Sequence, residues 1–321
     1  MKKIIVTGGA GFLGSRLINN LLVSQGKPGF PQFDQIISVD LANCPIKDER
    51  VVSITGDIAD PTFAQKIITK GTVAIYHMAA VLSGQSEEEF DTGMRVNVDG
   101  TRALLEAARK IEEKPRFIFT SSLAVFGGNM PAIVPENLAL MPQSSYGAEK
   151  AIGEILVSDY NRKGFVDGIV CRLPTIVVRP GKPNSAASSF ASGIIREPLS
   201  GIKSNNPVPP ETIMWLSSPN AVARNLAYAL TVSSEAIGMN RVLNLPGLSV
   251  SVADMLNSLE KVAGKETRAL VSEIPEQRII DIVCSWPGNF DVKRPLSLGF
   301  VSDTDFDSVI HQYRDEFVTK S

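Results

Sequence analysis

The sequence predicts an α/β fold, a doubly wound parallel sheet with a smaller C-terminal lobe. Three observations predict it. Short apolar runs alternate with helical patterns as far as Leu173. The first run, Ile4-Ile5-Val6, passes straight into the glycine turn Thr7-Gly8-Gly9-Ala10-Gly11-Phe12-Leu13-Gly14, and the turn leads into a helical pattern from Ser15 to Leu22. After Leu173 the alternation breaks, and residues 179–210 are rich in Pro, Gly, Ser and Asn. The expected division is 1–174, rejoined by 215–247, against a lobe of 175–214 and 248–321.

The strand–turn–helix order of the first segment is that of a dinucleotide cradle. Gly8 allows the tight turn, Gly11 lets the backbone approach a pyrophosphate, and Gly14 lets helix and strand pack closely. Phe12 and Leu13 supply backbone N–H groups at the helix start. The spacing is G-x-x-G-x-x-G rather than the commoner G-x-G-x-x-G. The next apolar run, Ile36 to Val39, ends in Asp40. A carboxylate there accepts both adenosine ribose hydroxyls and repels a 2′-phosphate. Leu41 and Ala42 bring no compensating cation, so NAD is expected over NADP.

Bulk properties narrow the partners. A formal net charge of −2 and the lack of any basic run argue against nucleic acid or an anionic membrane surface. No apolar stretch has spanning length, and Lys2-Lys3 precede too short a run for a signal peptide. The 3 cysteines, Cys44, Cys171 and Cys284, are widely spaced, which suits a reducing cytoplasm. With only 2 histidines, His77 and His311, no metal site and no Ser-His-Asp triad is expected.

Further elements follow in order. Val51 to Ile54 is a third strand ending at Gly56-Asp57-Ile58, and Asp60-Pro61 starts a helix. Val73 to His77 is a fourth strand, followed by Met78-Ala79-Ala80, where small side chains let a flat ring pass. His77 reads best as a satisfied core histidine. Glu87 to Lys110 has one continuous helical period, with Asn97 expected to bond a neighbouring loop. Arg116 to Ser122 is a fifth strand ending in hydroxyls, and Gly168 to Leu173 is a sixth, ahead of Pro174. The later pattern predicts helices over 221–230, 252–263 and 306–319 and a strand over 242–245.

Ser122, Tyr146 and Lys150 make a coherent chemistry. Tyr146 and Lys150 are four apart on one helical face. A free tyrosine, with a pKa near ~10, is a poor base, but an ammonium beside it favours the phenolate. The phenolate can then take the proton of a substrate hydroxyl while hydride leaves the same carbon. Ser122 would hold the substrate oxygen, and Lys150 the nicotinamide ribose.

Together these motifs resemble the extended short-chain dehydrogenase/reductase superfamily, with its Rossmann-type fold, over nearly the whole chain. The resemblance implies a cofactor turn at Thr7 to Gly14, adenine contacts at Asp57-Ile58, a strand-four motif at His77 to Ala80, a helix asparagine at Asn97 and a triad of Ser122, Tyr146 and Lys150. Sugar-nucleotide epimerases share this half. The other half departs from them: Arg172-Leu173-Pro174-Thr175 lacks their asparagine, and Trp215 to Asn220 lacks their paired acids.

The stretches Ala79 to Gln85, Ser121 to Gly128 and Arg179 to Ser188 are similar to the D-erythronate dehydrogenase group. That implies NAD-dependent oxidation of C2 of a four-carbon sugar acid. A small hydroxy acid needs a carboxylate anchor. Arg179, Arg196, Asn184 and Ser185 are candidates, with Ser83 and Trp215 as pocket walls. A nucleotide-sugar 4-epimerase and a non-catalytic NAD-binding regulator are the alternatives. A homodimer is expected from the resemblance alone.

Overall fold

The computed structural model describes residues 1–181 and 187–318. Six strands come first: β1 (Lys3–Thr7), β2 (Gln35–Asp40), β3 (Val51–Thr55), β4 (Thr72–His77), β5 (Arg116–Ser122) and β6 (Asp167–Leu173). Six more follow: β7 (Thr175–Ile176), β8 (Ser204–Asn206), β9 (Ile213–Ser217), β10 (Val242–Asn244), β11 (Leu248–Ser251) and β12 (Val271–Glu273).

The main sheet has seven strands in the order β10-β6-β5-β4-β1-β2-β3. Every neighbouring pair in it is parallel. The strand order reverses beside β1, the place where a doubly wound sheet opens a crevice at its carboxyl edge. The strands are apolar on both faces because helices cover both. Ile4, Val6, Ile36, Tyr76 and Ile118 pack against Leu17, Ile18 and Leu21 on one face. Ile5, Ile37, Ile75, Phe117 and Phe119 pack against Leu104, Leu105 and Val157 on the other.

The second unit is smaller. A three-stranded sheet, β11-β9-β7, and a β8–β12 pair are joined by helices Ser189–Leu199, Val252–Ala263 and Phe306–Phe317. Its core includes Ile194, Ile195, Leu256, Leu259, Val309 and Ile310. Residues 215–217, expected with the returning segment, are the end of β9 and sit in the small sheet. Helix Pro219–Tyr228 and β10 do return to the main sheet; Val222, Leu226 and Leu243 join its core.

Two elements differ from the pattern. The continuous helix expected over 87–110 is broken. It consists of Ser83–Glu88, Phe90–Gly93, a wide π turn at Met94–Asp99 and Gly100–Ala108. Helix Ser189–Leu199 falls in the stretch rich in Pro, Gly, Ser and Asn, where Ala191, Ile194, Ile195 and Pro198 make a helical face. No helix among the described residues is long and apolar enough to cross a membrane.

Candidate active site

The residues singled out by sequence converge on one edge of the main sheet. Thr7, Asp40, His77, Ser122 and Leu173 are the last residues of β1, β2, β4, β5 and β6. All five strands are parallel, so their carboxyl ends share that edge. Gly8 to Gly14, Asp57-Ile58, Ala79-Ala80 and Pro174 lie in the connections just beyond.

The glycine turn is shaped by close approach. Gly8 has φ +71°, and a Cβ there would stand 2.8 Å from the Ala79 backbone nitrogen. A Cβ on Gly14 would stand 2.0 Å from the Gly8 carbonyl oxygen. Helix Phe12–Ser24 starts at once, with Gly11 as N-cap and no side chain capping it. Its first N–H groups are therefore free for an anion. Asp40 closes the rim: its carboxylate accepts from Ala10 N–H at 3.0 Å and Leu41 N–H at 2.7 Å. The tight turn, the free helix N–H groups and the Asp40 carboxylate make a set of donors and an acceptor that suits a dinucleotide.

Asp57 accepts from Ala59 N–H at 2.9 Å and pairs with Arg95 at 2.5 Å, beside the buried Ile58. Ala79 is held by its neighbour strand, since Thr7 Oγ1 accepts from Met78 and Ala79 N–H at 3.1 and 3.2 Å. Asn97 bonds the adjoining loop as expected. It accepts from Val81 N–H at 2.8 Å and donates to Val81 C=O at 3.0 Å. Its Nδ2 also reaches Glu149 at 2.6 Å. His77 is buried between two threonine hydroxyls, a core histidine that faces no cleft.

Helix Ser145–Arg162 carries the proton-transfer candidates, started by a Ser144 cap on Gly147 N–H. Lys150 is buried; its ammonium donates to Thr120 C=O at 2.9 Å and lies 5.6 Å from the Tyr146 ring centre. Burial presses its pKa down to about 8, against the pull of Glu149 and Glu154. Tyr146 is half-buried, with its phenol near Ser122. Burial and the Glu149 carboxylate raise the phenol to about 12, and Ser122 opposes them. The expected lowering by Lys150 is not what dominates in the free chain. The ammonium is turned to the Thr120 carbonyl, and burial wins.

The substrate candidates separate. Ser83 starts helix Ser83–Glu88 and is half-buried beside the Ala80 loop. Arg179 is half-buried, and burial and the Arg196 cation hold its guanidinium below its ordinary pKa. Arg196 is spent elsewhere, donating to the Arg179 carbonyl at 2.8 Å and pairing with Glu197 at 2.6 Å. It shapes the Arg179 backbone rather than offering a free cation. Trp215 is buried against Leu123 and Phe290, its ring 5.4 Å from the phenylalanine ring, so it backs the loop after Ser122. Asn184 and Ser185 lie outside the described residues. Sequence reasoning missed Glu149 and Ser86, both buried beside Asn97.

The model of the NAD dependent epimerase/dehydratase family matches residues 4–217. The chain belongs to this family. Within the family, its sequence is 50% identical over 318 residues to D-erythronate dehydrogenase of Cupriavidus necator, covering 98% of each chain. It is 44% identical over 313 residues to the protein of that name from Haemophilus influenzae, covering 97% of this chain and 98% of that one. Among solved structures, the nucleoside-diphosphate-sugar epimerase from Agrobacterium tumefaciens superposes with a TM-score of 0.94 at 38% identity, covering 100% of this chain and 95% of that one. The family's NAD dependence agrees with the glycine cradle and Asp40.

Proposed function

We propose that this family member is an NAD-dependent dehydrogenase that oxidises the C2 hydroxyl of D-erythronate to 2-oxo-tetronate. The observation that carries the reading is the meeting of Ser122, Tyr146 and Lys150 at the carboxyl end of β5, across the crevice from an open glycine cradle. Relatives named for that activity, alike over nearly the full length, support the choice of substrate.

Bound NAD supplies the hydride acceptor. Gly8, Gly11, Phe12, Leu13 and Gly14 hold its pyrophosphate and Asp40 its adenosine ribose. Asp57 and Ile58 take the adenine, Ala79, Ala80 and Asn97 frame the passage to the site, and Pro174 closes the nicotinamide side. Ser122 positions the C2 oxygen, and Tyr146 accepts its proton. Lys150, with two donors left after Thr120, holds the nicotinamide ribose and adds positive charge below the phenol. Arg179 is the carboxylate anchor, because among the described residues no acid is paired with it. NAD is preferred over NADP because Leu41, 81% exposed beside Asp40, offers a 2′-phosphate nothing to bind.

Phe90, Ile152 and Ile155 are exposed on the outer faces of their helices, at 57%, 36% and 64%. They suit a two-fold contact, and the protein acts as a homodimer. The unpaired Cys44, Cys171 and Cys284 suit a reducing cytoplasm.

The test is NADH absorbance on mixing protein, NAD and a panel of four-carbon sugar acids, with nucleotide sugars alongside. Steady NADH growth with D-erythronate is expected. Interconversion of a nucleotide sugar without NADH growth would overturn the reading in favour of an epimerase, the activity for which the Agrobacterium protein is named.

A further inference from the structure

Glu149, whose charge raises the Tyr146 phenol, touches neither substrate nor cofactor in the reading above, yet it is wholly buried one residue before Lys150. Its Oε2 accepts from Asn97 Nδ2 at 2.6 Å and from Ser86 Oγ at 3.0 Å. Its Oε1 has no partner among the described residues. That oxygen lies against Gly93, where an added Cβ would stand 2.3 Å away. A buried carboxylate with one oxygen unpaired is costly to keep, so the bonds of the other oxygen must matter.

The loop after β4 is held from two sides. Thr7 fixes Met78 and Ala79, the half that faces the glycine turn. Asn97 holds both backbone groups of Val81, and Glu149 holds Asn97 and Ser86. A second tie runs from Ser145 N–H to the Glu87 carboxylate at 2.9 Å. Helix Ser83–Glu88 is thus fastened twice to the helix that carries Tyr146.

We propose that Glu149 is a positioning residue that locks the Val81–Glu88 wall, with Ser83, onto the Tyr146 helix and so sets the fit of the sugar acid, while Thr7 separately sets the fit of the cofactor. The proposal rests on the reading of Tyr146 and Lys150 as the proton-transfer pair.

The test compares the full-length wild type with Glu149→Ala, Glu149→Gln and Ser86→Ala. Glu149→Ala should raise KM for D-erythronate about tenfold and leave Kd for NAD within about twofold, since two bonds to a charged acceptor are lost. Glu149→Gln should recover most of this, because its amide oxygen accepts the same two bonds. Ser86→Ala should raise KM about threefold. A second readout needs no turnover: amide exchange at Val81 should quicken in Glu149→Ala while Met78 and Ala79 stay protected.

An unmoved KM in both alanine variants, equal losses for NAD and sugar acid, or unchanged exchange at Val81 would each overturn the proposal. Glu149→Gln as damaged as Glu149→Ala would overturn it too, since charge rather than bonding would then matter. Should Glu149→Ala not fold, Ser86→Ala decides alone. Tyr146→Phe run alongside separates the two readings: retained turnover there refutes the proton-transfer assignment, while the exchange data still judge Glu149.

Discussion

His77 should give the protein a steep acid limb of stability. Its ring bonds Thr7 Oγ1 through Nδ1 and Thr101 Oγ1 through Nε2, each at 2.9 Å. Thr7 Oγ1 already accepts from Met78 and Ala79 N–H, so its own proton points at Nδ1. Thr101 Oγ1 gives its proton to the Asn97 carbonyl, so it accepts from Nε2–H. The network assigns one neutral tautomer, with every group satisfied. A second ring proton would face the Thr7 hydroxyl proton. Burial, then the nearby Lys150 cation, lowers the pKa from 6.5 to about 3. Between those values the unfolded chain binds the proton and the folded chain does not, so stability falls as pH falls through that window. Down to pH 4 the loss is about 3 kcal/mol, and the full difference is about 5 kcal/mol. Urea unfolding of the wild type and of His77→Gln from pH 7 to pH 4 measures it. The variant should be less stable at pH 7 but show a flatter decline. Parallel declines in the two proteins would refute the assignment.

Tyr146→Phe should lower turnover by roughly 10²–10⁴ and leave NAD binding near normal, as read by NADH absorbance and a cofactor titration; unchanged turnover would remove the phenol from the mechanism. With the phenol held at about 12, its ionised share grows with pH, so wild-type kcat/KM for the sugar acid should climb from about pH 6 to 8; a flat profile contradicts a tyrosine base. Asp40→Ala should narrow the kcat/KM preference for NAD over NADP, by about tenfold. A fixed ratio would place Asp40 off the ribose. Gly14→Ala puts a methyl 2.0 Å from the Gly8 carbonyl, so thermal midpoint and NAD affinity should both drop, the stability by roughly 1–3 kcal/mol. Arg179→Met should raise KM for the sugar acid and spare that for NAD; an unmoved KM would send the search for the anchor elsewhere.

The cofactor half was legible because its constraints are local. Gly8 and Gly14 are where they are because a Cβ has no room, and such limits show as glycines at fixed offsets. Asp40 and Ser122 end strands whose apolar runs are plain. The π turn around Asn97 was not legible. Its apolar spacing reads as ordinary helix, and the cause of its widening lies in another segment, where Glu149 and the Val81 loop claim the asparagine. The partners of Arg196 and Trp215 were hidden for the same reason. An arginine and a tryptophan look like ligand groups in sequence, but Glu197 and the Arg179 carbonyl take the one, and Leu123 and Phe290 the other.

Tyr146 shows where residue spacing stops being a guide to chemistry. A lysine one turn along suggests a lowered phenol pKa. The backbone sends that ammonium to the Thr120 carbonyl, and partial burial penalises the phenolate. In the free chain the phenol is therefore a resting acid, held up further by Glu149 and drawn down only by Ser122. Its conversion to a base requires positive charge brought close to it, where low polarity strengthens each charge's effect. A cationic ring brought beside this phenol should therefore lower its pKa strongly. Tyrosinate absorbance, taken as the difference between wild type and Tyr146→Phe, follows this phenol alone through a pH titration. The oxidised cofactor should move its ionisation to lower pH, whereas the reduced cofactor, whose ring carries no positive charge, should not. Identical titrations in the free protein and with either form of the cofactor would contradict the argument.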